Sequence, residues 1–239
     1  MQFTYHAYEG LVSLLLEQGY AVKTYHTWQE AARCVILRHD IDTSLSKAVE
    51  LARVEQELGV SSTYFVLLTS DFYNVASKGN LEKLRVIQSM GHELGLHFDE
   101  TAYEGITMET MPEYIQREAT ILSDILGIPI TTVSMHRPSR AILEADLKIP
   151  GMVNSYGKTF FHEFKYLSDS RRRWREPVEE IICSGEHDRL HILTHAFWYR
   201  EREESIQETV HTFIQTANQE RYQKMSENIT DLQDILKER

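Results

Sequence analysis

Asp40 and Asp42 sit two residues apart in the stretch ILRHDIDTS (36–44), where an apolar run passes into His39, Asp40 and Asp42 and closes on Thr43 and Ser44. In an extended segment residues i and i+2 point the same way, so the two carboxylates project together from the end of a strand. Side by side they repel unless a proton or a cation lies between them. A cation held by one resolves the conflict and leaves the other as a base. A lone aspartate here would read as a helix cap, but Thr43 and Ser44 already supply that function. Further ligands should then stand at other strand ends, and His97, His136 and His195 each terminate a candidate strand. His92, five residues before His97 in the same strand, points to the opposite face, and His191 lies deeper in its own strand.

Candidate strands are CVILRH (34–39), STYFVLL (62–68), HELGLH (92–97), TTVSMH (131–136), MVNSY (152–156), EFKYLS (163–168) and LHILTH (190–195). Helical periodicity separates them. Leu51, Val54 and Leu58 share one face, as do Leu81, Leu84 and Ile87, and Met111, Ile115, Ala119, Leu122 and Leu126. Gly59, Gly91 and Gly127 fall where those helices should stop. Strand–helix repetition implies a parallel sheet covered by helices, whose C-terminal strand ends form the active-site face. The fold class expected is α/β, a barrel at least as readily as an open doubly wound sheet. GxGxxG and GxxxxGK[ST] signatures are both absent, which speaks against nucleotide-binding versions of such a sheet. From about residue 201 the chain reads as amphipathic helix, with Ile206, Val210, Phe213 and Ile214 on one side, expected to cover the barrel or a partner subunit in a homo-oligomer.

With 42% hydrophobic residues and no obvious linker, the chain reads as a single domain over 1–239, the barrel occupying about 30–200 and a C-terminal helical segment 201–239. A net charge of −11 excludes a general nucleic-acid or anionic-membrane surface, RRRWR (171–175) being a local basic exception able to meet a phosphate or a glycan acid. The N-terminus lacks the basic and small-residue pattern of a signal peptide, and no apolar run is long enough to span a membrane. A cytoplasmic location is expected. Cys34 and Cys183 lie far apart in apolar runs and read as buried thiols rather than as a disulfide or zinc knuckle.

RHDID, GHELGLH, HRPS and LTH, in that order over roughly residues 34 to 198, resemble the successive motifs of the polysaccharide deacetylase superfamily (NodB homology, carbohydrate esterase family 4), particularly its divergent WbmS-like branch. The resemblance implies a distorted (β/α) barrel of about seven parallel strands, a divalent metal and hydrolysis of acetyl groups on sugars. By position, it makes Asp40 the general base, Asp42 a metal ligand and His97 the first metal histidine. Arg137 matches the arginine that steadies the base, and His195 matches the general acid. Asp169 and Trp174 stand in for the acidic-aromatic motif that orients that acid and walls the pocket. The second motif departs from the pattern, because Thr101 occupies the place of its other metal histidine. His136 is the replacement taken, with Asp99 and Glu100 as alternatives.

These parts imply a metal-dependent hydrolase that releases an acyl group, acetyl foremost, from an N-acylated sugar, nucleotide sugar or glycan precursor. The expected cofactor is one divalent ion, Zn²⁺ first, with Co²⁺, Mn²⁺, Fe²⁺ or Ni²⁺ also compatible. Tyr103, Trp174 and Trp198 are candidate substrate-stacking walls, since sugar faces pack on aromatic rings. Rival readings are a non-hydrolytic carbohydrate-binding relative, a hydrolase of another C–N amide bond, and a non-haem Fe(II) oxygenase. The strand–helix repetition argues against the last.

Overall fold

The computed structural model describes residues 1–237; the final two residues of the C-terminal segment lie outside the described residues. Eight parallel strands form one sheet: β1 Ala21–Lys23, β2 Cys34–Ile41, β3 Thr63–Leu67, β4 Glu93–Phe98, β5 Thr132–Met135, β6 Val153–Asn154, β7 Lys165–Ser168 and β8 Arg189–Thr194. Seven of them follow the order β6-β5-β4-β3-β2-β8-β7, a curled, open barrel in which β2 lies between β3 and β8. Strand β1 pairs with Cys34–Ile36, and β3 takes over along Arg38–Ile41. All seven strands read from the sequence are present, within two residues at each end for most. Strand β1 has only three residues, too few for periodicity to show.

Helices α1 Tyr5–Glu17, α2 Leu45–Glu57, α3 Lys78–Ser89, α4 Met111–Leu126, α5 Arg140–Glu144 and α6 Val178–Ser184 belong to a compact unit spanning Met1–Glu201. Each of the three helical faces read from the sequence is turned inward, the α4 face completely: Met111, Ile115, Ala119, Leu122 and Leu126 are all buried. Helix α1, capped by the Thr4 side chain, buries Tyr8, Leu11, Val12 and Leu15. Gly59, Gly91 and Gly127 take left-handed backbone after α2, α3 and α4, which glycine adopts without a Cβ clash. A second unit, Arg202–Arg239, holds α7 Ile206–Asn228 and α8 Leu232–Lys237. Ser205 and Glu208 form a capping box that starts α7, along which Ile206, Val210 and Ile214 are exposed. Cys34 is buried, but Cys183 is exposed, because α6 buries Val178 and Ile182 and turns the next residue outward. No helix among the described residues is long and apolar enough to cross a membrane.

Strand β2 is buried along its whole length, and its side chains alternate between two interiors. Val35, Leu37 and Ile41 join the large core under the helices, whereas Cys34 and Ile36 join Tyr25, Phe65, Phe160 and Phe164 inside the barrel. Gly95 makes room there, since a Cβ on it would come within 2.6 Å of the Phe65 ring. His39 points to the helix side. Its Nε2 lies 2.9 Å from Glu55 Oε1 and its Nδ1 2.6 Å from Thr194 Oγ1. Glu55 also accepts hydrogen bonds from the hydroxyls of Tyr8, Ser62 and Tyr64.

Burial works against the Glu55 charge, but His39 foremost, with His92 and the Ser62 hydroxyl, holds its carboxyl down to about 2 from an ordinary 4.5. A carboxyl depressed on folding contributes stability that is complete above its unfolded value and is lost as pH falls toward its folded one, here between about 4.5 and 2. The contribution is on the order of 3 kcal/mol. The melting temperature of the wild type should therefore fall more steeply than that of Glu55→Gln on going from about pH 5 to about pH 3. Parallel curves in thermal melts would contradict this.

Candidate metal centre

The parity that sends His39 to the helices sends Arg38, Asp40 and Asp42 to the opposite side, where Asp40 and Asp42 line a cleft of about 790 Å³ at the C-terminal ends of the strands. The turn after β2 is fixed by its backbone. Tyr73 Oη donates to the Ile41 carbonyl at 2.6 Å, Ser70 Oγ donates to the Asp42 carbonyl at 3.1 Å, and the Ser44 side chain caps α2. Asp42, one residue past β2, is thereby held at the strand end. His97 lies within β4, and His136 follows β5, donating its backbone N–H to the Phe98 carbonyl at 2.7 Å.

Three side chains meet at one point. Asp42 Oδ1 lies 3.2 Å from His97 Nε2 and 3.4 Å from His136 Nδ1, and the two nitrogens are 3.2 Å apart. Ligands about 2.0–2.1 Å from a common ion in tetrahedral arrangement lie about 3.3–3.4 Å from one another. Asp42 Oδ1 is buried and has no hydrogen-bond partner in the protein. A buried carboxylate oxygen facing two imidazole nitrogens without a hydrogen bond suits a cation better than a proton. Burial disfavours the Asp42 charge, yet the His136 and His97 imidazoles beside it hold its carboxyl well below the usual carboxylate range. The donor set of two histidines and one carboxylate fits a divalent transition ion.

Asp99 and Glu100 are engaged elsewhere. Asp99 Oδ1 accepts from the backbone and hydroxyl of Thr101, and Glu100 Oε1 accepts from Ser139 N at 2.7 Å. His136→Ala should thus weaken divalent metal binding as much as His97→Ala, by more than the roughly 10- to 100-fold that loss of an outer hydrogen-bond partner costs. Thr101→Ala should leave it unchanged. Metal content after equilibrium dialysis checks both, and normal loading of His136→Ala would remove it from the ligand set.

Asp40 and His195 flank this triangle. The Asp40 oxygen Oδ2 is 3.7 Å from His97 Nε2, and His195 Nε2 is 3.9 Å from Asp42 Oδ2. Asp169, wholly buried after β7, sits 2.6 Å from His195 Nδ1 through Oδ1, accepts the His195 backbone N–H, and accepts the Tyr199 hydroxyl at 3.2 Å. The imidazole is thus presented to the cleft through Nε2. Burial opposes a charge on His195, but Asp169 first, then Asp42 and Asp40, outweigh it and push its pKa up to about 9.

The guanidinium paired with Asp40 is that of Arg38. Its Nη2 donates to both carboxylate oxygens, at 3.1 and 2.8 Å, and to Ser134 Oγ at 2.6 Å, while Nη1 donates to Ser155 Oγ at 2.9 Å. Burial pushes the Asp40 carboxyl up, but Arg38 first, then His97, hold it below its ordinary value. Arg38 was not among the residues singled out in the sequence, although its position two residues before Asp40 on one strand face was a visible signal. Arg137 instead lines the cleft, with left-handed backbone (φ 47°) that brings consecutive His136 and Arg137 both to its wall. Strict alternation would have separated them.

Trp174 and Trp198 also line the cleft. Tyr103 is placed elsewhere: it stacks on Phe98 with centroids 5.7 Å apart, packs on Tyr114 and donates to Glu118. Tyr166 and Phe161, stacked at 4.6 Å, form another part of the cleft wall.

No protein-family description matches the chain, and no curated protein sequence matches it. Among solved structures, it is similar to a peptidoglycan deacetylase from Bacillus subtilis, at 13% identity over 82% of this chain and 95% of that one, with a TM-score of 0.46. A chitin deacetylase from the fungal pathogen Colletotrichum lindemuthianum is similar at 13% identity over 77% of this chain and 81% of that one, TM-score 0.44. A carbohydrate esterase family 4 pseudoenzyme from Bacillus anthracis is similar at 14% identity and TM-score 0.42; 78% of this chain is covered, but it spans only 60% of the pseudoenzyme's length.

Proposed function

We propose that this protein is a metal-dependent hydrolase that removes an acyl group, acetyl foremost, from the nitrogen of an amino sugar, nucleotide sugar or glycan precursor. One observation carries the reading: a carboxylate on one side and an Asp169-oriented imidazole on the other flank the Asp42–His97–His136 donor triangle within one cleft. A divalent ion held there, Zn²⁺ foremost, would supply positive charge for the oxyanion that develops on the acyl oxygen and would acidify the attacking water. Asp40, ionised and held in place by Arg38, accepts the proton that the water loses as it attacks the acyl carbon. His195, charged at neutral pH and presenting Nε2 to the cleft, donates a proton to the departing nitrogen, so that a free amine and a carboxylic acid leave. Acid and base stand on different strands and keep their protonation states apart through different partners, Asp169 for the first and Arg38 for the second.

A screen of N-acetylated monosaccharides, sugar nucleotides and short glycans for released acetate, run on metal-stripped protein and on protein reloaded with Zn²⁺, Co²⁺, Mn²⁺, Fe²⁺ or Ni²⁺, tests this. Release that depends on added metal is expected. Metal and sugar binding without acetate release would give the non-hydrolytic carbohydrate-binding reading instead.

A further inference from the structure

The chain carries a net charge of −11, yet Arg137, Arg171 and Arg175 all line the cleft, the last two from the single segment that follows β7. Among the described residues none of these three guanidiniums is in an ion pair with a carboxylate. Glu176, next to Arg175 in sequence and also on the cleft lining, is engaged by Lys165. Arg137 and Arg171 both take left-handed backbone, with φ of 47° and 61°, a conformation that side chains with a Cβ adopt at a cost and that recurs where a site dictates it. Beside them the indole Nε1 of Trp174 is buried in the cleft wall without a hydrogen-bond partner in the protein. The segment after β7 therefore brings two guanidinium forks, those of Arg171 and Arg175, to the cleft, with Arg137 a third on its lining, and the one carboxylate of that segment, Glu176, is already neutralised.

A ligand that meets such a surface must bring several acceptor oxygens and more than one negative charge. A single carboxylate satisfies one guanidinium fork, whereas a phosphoryl group presents three or more oxygens and engages two or more. We infer that the cleft takes a phosphorylated N-acyl amino sugar, its acyl group at the Asp42–His97–His136 triangle and its phosphoryl group on the Arg171–Arg175 rim. This inference rests on the hydrolase reading of the same site for the orientation of the sugar, but the anion subsite stands on the arginines alone. The shared chemistry is a sugar phosphate ester, whether a sugar 1-phosphate or a sugar nucleotide.

Calorimetric titration of the Zn²⁺-loaded protein tests it, with N-acetylglucosamine 1-phosphate, UDP-N-acetylglucosamine and the neutral methyl N-acetylglucosaminide as probes. The phosphorylated probes should bind at least about 10-fold more tightly than the neutral one, with a preference that weakens as salt rises. The tighter of the two identifies a monoester or a diphosphate as the group recognised. Arg171→Ala/Arg175→Ala should abolish the preference by weakening only the phosphorylated probes, and Arg171→Lys/Arg175→Lys should restore part of it. Equal affinity for all three probes, absence of binding, or a preference that survives in the double alanine variant would overturn the subsite, the last by placing the phosphate on the metal. Acetate release measured alongside separates the two readings. Release from neutral and phosphorylated sugars with the same KM removes the subsite and keeps the hydrolase, whereas phosphate preference without release from any sugar keeps the subsite and removes the hydrolase.

Discussion

Asp40→Asn protein is expected to keep its divalent ion and to lose acyl release by about 10²- to 10⁴-fold, the range that a positioned general base contributes. Asp42→Asn is expected to lose the ion itself, and its activity with it, because a neutral amide replaces the one anionic donor of the triangle. On the proposed reading two identical side chains only two residues apart have separable tasks, and their geometry differs accordingly. Asp42 Oδ1 is the vertex facing both imidazole nitrogens, whereas Asp40 lies 3.7 Å from His97 and is already satisfied by Arg38. Metal analysis and turnover measured on both variants check the assignment. Retention of metal by both, or full activity of Asp40→Asn, would dissolve the division of labour.

The second large effect is expected at Arg38, which is wholly buried and lies over the rings of Tyr156 and Phe65 at 4.9 and 5.3 Å. Arg38→Met leaves the Asp40 carboxylate in a buried site without its cation, and removing one partner of a buried pair costs about 3–5 kcal/mol. Much of that loss is the stranded charge rather than the missing contact, so Arg38→Met/Asp40→Asn should be less destabilised than the sum of the single variants. A coupling on the order of 0.5–3 kcal/mol is expected from urea unfolding at neutral pH. Strict additivity would show that the pair does not act as a unit. The same argument makes Arg38 a positioning residue: Nη2 spans both Asp40 oxygens and is itself fixed by Ser134, while Nη1 is fixed by Ser155.

The donor triangle was legible in the sequence because its parts obey simple rules. A parallel sheet collects functional side chains at one end, and histidines that terminate strands collect with them. His136 could be chosen over Asp99 and Glu100 only on its place beside a strand end; the fold adds that those two acids are used within their own loop and at Ser139. Arg137 shows where such rules stop. A non-glycine residue in left-handed backbone is uncommon and leaves no trace in composition, so the turn that brings Arg137 to the cleft wall was invisible. Arg38 was visible in principle, since a charged residue within CVILRHDI demands a partner on its own strand face, and two residues on stands Asp40. Tyr103 illustrates the ambiguity of aromatics: its ring suggested a sugar wall, but stacking on Phe98 and a hydrogen bond to Glu118 hold it in a separate cluster. Helix α1 had a plain apolar period in Tyr8, Leu11, Val12 and Leu15, whereas three-residue β1 had none to read.

The most direct measurement is a calorimetric titration of Zn²⁺ into metal-stripped wild-type protein, with acetate release from an N-acetylated sugar followed across the same points. Saturation at about one equivalent is expected, with activity rising in step with occupancy, and with binding lost in Asp42→Asn and in His136→Ala. A wild type that takes up no Zn²⁺, or a stoichiometry unchanged in Asp42→Asn, would contradict the account.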